Sequence, residues 1–125
     1  MDAFVMTRLT SSPYVMGIYG YCGSSQVVEY GANGNIHDLV KVARETGEDK
    51  LSPLDKLRIC VQIATAVADM HSLDMVHDDL CCHQFILVDG VYKLSDFDFS
   101  EFVKRNKETN ETCLDHMFDL NLEVS

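Results

Sequence analysis

Residues 76–100 read Val76-His77-Asp78-Asp79-Leu80-Cys81-Cys82-His83-Gln84-Phe85-Ile86-Leu87-Val88-Asp89-Gly90-Val91-Tyr92-Lys93-Leu94-Ser95-Asp96-Phe97-Asp98-Phe99-Ser100. Here acidic residues are set between short apolar runs instead of on a face that water can cover. Phe85 to Val88 and Val91 to Leu94 predict two strands, and Asp89-Gly90 between them predicts a tight hairpin turn. So short a hairpin returns the chain to the end where it began. Asp79 and Gln84 precede the first strand and Asp96 follows the second, so the turn draws all three together. Hard oxygen donors gathered in this way suit Mg²⁺.

Working upstream, Ser52-Pro53-Leu54-Asp55 predicts a helix start, since Ser caps free amides, Pro fits the first turn and Asp complements the positive helix end. Leu57, Ile59, Cys60, Ile63, Ala64, Val67 and Met70 continue it to about His71, with an apolar face wide enough to need cover on more than one side. Ile36, Leu39, Val40 and Ala43 follow helical spacing and predict a shorter helix from about Asn35 to Thr46, with Gly47 to Lys50 as a polar connection. Further back, Tyr14 to Cys22 and Gln26 to Tyr30 read as strands joined at Gly23-Ser24-Ser25, and Gly31-Ala32-Asn33-Gly34 as a flexible link. Val5, Met6 and Leu9 give the first ten residues one buried helical stripe, stopped by Ser11-Ser12-Pro13. Downstream, Glu101 to Ser125 is polar and without long apolar periodicity.

The 125 residues carry twenty acidic and ten basic side chains, a net charge of −10. That balance excludes nucleic acid and anionic membrane as partners, because both need a basic patch, and Lys104, Arg105 and Lys107 are surrounded by acids. No run approaches a membrane span, and Met1-Asp2-Ala3-Phe4 lacks the basic start and apolar core of a signal peptide. Five irregularly spaced cysteines fit reduced thiols and an intracellular, cytoplasmic setting. Asn110-Glu111-Thr112 has the form of a glycosylation acceptor, which such a setting leaves unused.

An apolar helix, the loop His77-Asp78-Asp79-Leu80 with Gln84 four residues on, a hairpin and then Asp96-Phe97-Asp98 resemble, in that order, the catalytic and metal-binding half of a eukaryotic protein kinase. The resemblance implies an α+β fold: a partial kinase-like domain with remnant N-lobe strands over 1–30, a hinge at 31–34, the first half of the C-lobe over 35–100, and an activation-segment-like tail over 101–125. Thr109 and Thr112 in that tail are candidate phosphate acceptors. It also implies ATP and Mg²⁺ as cofactors and a protein as substrate or partner. Asp79 matches the carboxylate that orients the substrate hydroxyl, Asp96 the principal metal ligand, and Gln84 the amide ligand, on an arm one bond longer. Val28 falls at the gatekeeper position, with the backbone of Glu29 and Gly31 at the adenine edge and Ile86 also against the nucleotide. Taken by itself, the Glu29 side chain reads as solvated. Asp2 takes the place of the helix Glu that pairs with the strand-three Lys. His77 and Phe97 are implied supports, with His77 packing on Phe97 and bonding to backbone.

The sequence also departs from the family. No Gly-rich loop, strand-three Lys or Ala-Pro-Glu anchor occurs in these residues. Asp78 replaces an Arg, Cys81 a Lys that steadies the γ-phosphate, and Asp98 the Gly of Asp-Phe-Gly, at an expected cost in backbone freedom. The alternative to a phosphotransferase is therefore a pseudokinase-type module that binds proteins without catalysis. Two other chemistries are weighed: a zinc site from His77, Cys81, Cys82 and His83, and a metal-dependent phosphohydrolase built on the His77-Asp78 pair.

Overall fold

The computed structural model describes residues 2–112, an α+β arrangement of three α-helices and three two-stranded antiparallel sheets. Helix α1 spans Asp2–Arg8 and turns Val5 and Met6 inward, with Leu9 buried just beyond its end. Ser12 follows, and its hydroxyl donates to Asp69 Oδ2 at 2.6 Å, tying the first turn of chain to a distant helix.

Strands β1 (Ile18–Cys22) and β2 (Ser25–Val28) form the first hairpin, closed at Gly23 with φ of 59°. Both are shorter than the sequence reading predicts. Tyr14 to Met16 are withheld from β1 because they bond elsewhere: the Leu94 N–H donates to the Tyr14 carbonyl at 2.8 Å, and the Met16 N–H to the Leu94 carbonyl at 3.0 Å. A backbone group used in one ladder is lost to another.

The link at 31–34 lies against Ile86 and Leu87. The Leu87 N–H donates to the Gly34 carbonyl at 2.9 Å, and a β-carbon at Gly31 would lie 2.2 Å from Ile86 Cγ2. Only glycine lets the backbone pass so close to the strand. Asn35 then caps α2 (Ile36–Thr46) in a reciprocal box with Asp38, and Gly47 ends it in the left-handed conformation.

Helix α3 (Pro53–His71) starts as its sequence predicts, with Ser52 and Asp55 capping each other across Pro53. Its inner face buries Ala66 and Met70, and Gln62 Oε1 accepts the Tyr92 N–H at 3.0 Å. The outer face differs from the expectation of cover on several sides. Leu54, Leu57 and Val61 are 54%, 60% and 52% exposed, because no described element packs there. An open apolar groove of about 560 Å³ runs between α2 and α3, lined by Leu39, Ala43, Leu51 and Ile59.

Beyond α3, β3 (Met75–Val76) pairs with β6 (Glu101–Phe102), and β4 (Phe85–Val88) with β5 (Val91–Leu94). The second pair matches the predicted hairpin residue for residue, with Asp89 and Gly90 at φ of 50° and 82° as a two-residue left-handed turn requires. Phe97, Met70, Met75, Leu94 and Val5 form the driest part of the core, directly behind the loops at the hairpin's open end. The tail keeps Thr109 and Thr112 exposed, and Phe102 meets Phe4 of α1 edge to face at 5.9 Å. The predicted tail beyond Thr112 lies outside the described residues.

Candidate active site

Two short loops are clamped together at the open end of the β4–β5 hairpin. Ser95 does the clamping: its N–H and its hydroxyl donate to the Gln84 carbonyl at 2.8 and 2.9 Å. Gln84 is buried, and its Nε2 donates to Asp79 Oδ2 at 3.1 Å. The amide is thereby oriented, with its oxygen left as a lone-pair donor. Asp96 follows Ser95 directly, so the loop bearing Asp79 and the loop bearing Asp96 share one set of backbone anchors.

Asp78 and Asp96 sit at φ of 63° and 60°. Such backbone costs a non-glycine residue on the order of 1–3 kcal/mol, and Asp is among the few that tolerate it. Strain of this kind persists only where surrounding bonds hold it. Asp98, by contrast, is not left-handed, so the conformational cost expected for replacing glycine there is not incurred.

His77 lies behind these loops at 5% exposure. Its Nε2–H donates to the Ser95 carbonyl at 2.9 Å, and its ring sits 5.3 Å from that of Phe97. Phe97 is fully buried, and its N–H donates to Asp2 Oδ1 at 2.6 Å. The other oxygen of Asp2 accepts from Gln26 Nε2 at 2.7 Å, so one carboxylate ties α1, β2 and the Asp96 loop.

At the edge of the site, Val28 is half-buried against the core, and Gly31 and Ile86 meet in the close approach described above. Glu29 departs from the solvated reading. Lys93 Nζ lies 2.8 Å from both its carboxylate oxygens, the Gly17 N–H donates to it at 2.7 Å, and the pair is about four-fifths buried. Burial pushes the Glu29 carboxyl upward, but the Lys93 hydrogen bond, the Gly17 N–H and the Lys93 charge outweigh it and leave the pKa below the ordinary value. Lys93 and Ser95 are the residues that sequence reasoning missed. Lys93 is the one charge within an otherwise apolar strand, a position that asks for an acidic partner.

Asp79, Asp96 and the Gln84 amide are hard oxygen donors, and two carboxylates with an amide suit an ion that keeps waters and phosphate oxygens as further ligands. Softer metals find less. His77 is committed to backbone, Cys81 Sγ meets only His83 Nδ1 at 3.8 Å, and His83 stacks on His37 at 4.0 Å. Among the described residues no three His, Cys, Asp or Glu side chains gather as a metal cage. The His77-Asp78 pair lies on a loop beyond β3, not on the helices that a phosphohydrolase of that kind uses.

The family model described as protein tyrosine and serine/threonine kinase matches residues 1–118. The chain is 36% identical over 76 residues to testis-specific serine/threonine-protein kinase 1 of Mus musculus, covering 60% of this chain and 20% of that protein. It is 33% identical over 81 residues to the tyrosine-protein kinase transmembrane receptor Ror of Drosophila melanogaster, covering 64% of this chain and 11% of the receptor. The chain thus spans a fifth or less of the length of these relatives.

Proposed function

The chain belongs to the protein tyrosine and serine/threonine kinase family, and on that premise we propose that residues 2–112 form the Mg²⁺-nucleotide half of a site for phosphoryl transfer to protein hydroxyls. The observation that carries this reading is the Gln84 junction, which joins Asp79 by its side chain and Ser95 by its carbonyl. In it, Asp79 orients the substrate hydroxyl: Gln84 occupies Oδ2, leaving Oδ1 to accept the hydroxyl proton. Asp96 and the Gln84 amide oxygen hold Mg²⁺, which when bound neutralises phosphate charge. Val28, the Glu29 carbonyl, Gly31 and Ile86 border the adenine; the Glu29 N–H is already committed to the Gly17 carbonyl at 2.9 Å. Asp2, His77 and Phe97 hold the loops in register.

Residues 1–30 serve as the N-lobe remnant, 31–34 as the hinge, 35–100 as the first half of the C-lobe and 101–125 as the activation-segment-like tail. The four exposed free thiols among the described residues fit an intracellular site of action, and no described helix is long and apolar enough to cross a membrane. Exposed Cys81, at the place of the family's Lys, supplies no cation to the transferring group and favours slow transfer or a protein-binding role as the second reading. A fluorescent ATP analogue titrated with and without Mg²⁺ tests the proposal. Metal-dependent binding that disappears in Asp96→Asn is expected; binding indifferent to metal and to that substitution would overturn it.

A further inference from the structure

His77 Nδ1 and Ser100 Oγ are buried and have no hydrogen-bond partner, and among the described residues they are the side-chain polar atoms in that position. An orphaned polar atom in a dry core forfeits the hydrogen bonds that water gives it in the unfolded chain, so two of them call for an explanation. Strand register supplies it. Met75 faces Phe102 and Val76 faces Glu101 across the β3–β6 ladder, and the next residue past its last pair is His77 on one strand and Ser100 on the other. The Val103 N–H donates to the Asp74 carbonyl at 2.7 Å, which makes 74/103 a hydrogen-bonded pair. The ladder ends at Val76 and Glu101, where the Ser100 N–H turns to the Phe97 carbonyl at 3.0 Å, so His77 and Ser100 flank the last pair at the same end.

We propose that Ser100 is a positioning residue whose hydroxyl donates to His77 Nδ1, reached by rotation about its single χ1 or through one bridging water. The chemistry is complementary. Because Nε2 carries the proton given to the Ser95 carbonyl, Nδ1 is an acceptor, and a serine hydroxyl is a donor free to turn. The bond would complete a continuous chain: Ser100 to His77, His77 to the Ser95 carbonyl, Ser95 to the Gln84 carbonyl, and Gln84 to Asp79. The imidazole would then be fixed at both nitrogens and by the Phe97 ring, so Ser100, the residue just before the tail, reports on the loops that carry Asp79 and Asp96. The hydrogen bond stands on burial and register; its consequence for nucleotide rests on the function proposed above.

Long-range ¹H–¹⁵N correlation of the imidazole in the full chain tests it. In the native protein the His77 Nδ1 resonance is expected upfield of a free imine nitrogen, as for a hydrogen-bonded acceptor. Ser100→Ala is expected to move it downfield while Nε2, still held by Ser95, stays in place, and Ser100→Thr restores the native position. A native Nδ1 already at the free-imine position, or one unmoved in Ser100→Ala, overturns the proposal. The native spectrum alone decides if the alanine variant does not fold. The readout needs no nucleotide, so its failure and failure of the Mg²⁺-nucleotide reading are separate results.

Discussion

Glu29 and Lys93 lie 64 residues apart in the sequence and pair side chain to side chain. Lys93→Met leaves a largely buried carboxylate with one backbone donor, a change expected to cost about 1–2 kcal/mol at pH 7, between the values for exposed and fully buried pairs. The pH dependence has a definite sign. The folded carboxyl titrates below the ordinary value of 4.5, so its contribution is complete above that value and is lost as pH falls through the folded pKa. Urea unfolding of native and Lys93→Met proteins should show a stability gap that narrows below pH 4.5; a gap constant across pH contradicts the pairing. Gly31→Ala tests a second long-range contact, that with Ile86. Its new methyl would meet Ile86, with an expected loss of about 1–3 kcal/mol, and Ile86→Ala in the same chain should recover part of it as a measurable coupling. Additive losses from the two substitutions would mean that residues 31–34 and β4 do not touch.

At the scale of elements, α3 has one face in the core and one in water. Met70→Ala should cost about 2–5 kcal/mol, whereas Leu57→Lys on the outer face should stay within about 0.5 kcal/mol and raise the monomer fraction in size-exclusion chromatography. Equal losses from both would show that the outer face is packed after all. The start of α3 was legible because capping is local: Ser52, Pro53 and Asp55 act within one turn. The β4–β5 hairpin was legible because Asp89-Gly90 and the four residues on either side carry all the information it needs. The strands nearer the N-terminus are shorter than their sequence predicts, since nothing local announces that Tyr14 and Met16 bond to Leu94, about eighty positions onward. What α3's apolar stripe could not convey is whether its second side has a partner.

For the molecule as a whole, the spacing of Asp79, Gln84 and Asp96 conveyed that they lie on the two loops at the open end of one hairpin, because a short hairpin makes that a local matter. The supports were less visible. Asp2 on the Phe97 N–H, Ser95 on Gln84 and Lys93 on Glu29 are tertiary pairings that periodicity does not encode. Transfer of phosphate from radiolabelled ATP to a generic protein substrate should be very weak for this chain, which has no Gly-rich loop and no cation at Cys81; turnover abolished by Asp79→Asn would show otherwise. The most direct test of the account replaces Mg²⁺ with paramagnetic Mn²⁺ and follows backbone resonances. Selective broadening at Asp79, Gln84 and Asp96 is expected in the native chain and is lost in Asp96→Asn; broadening spread evenly over the acidic surface, or surviving that substitution, would rule out a shared metal position.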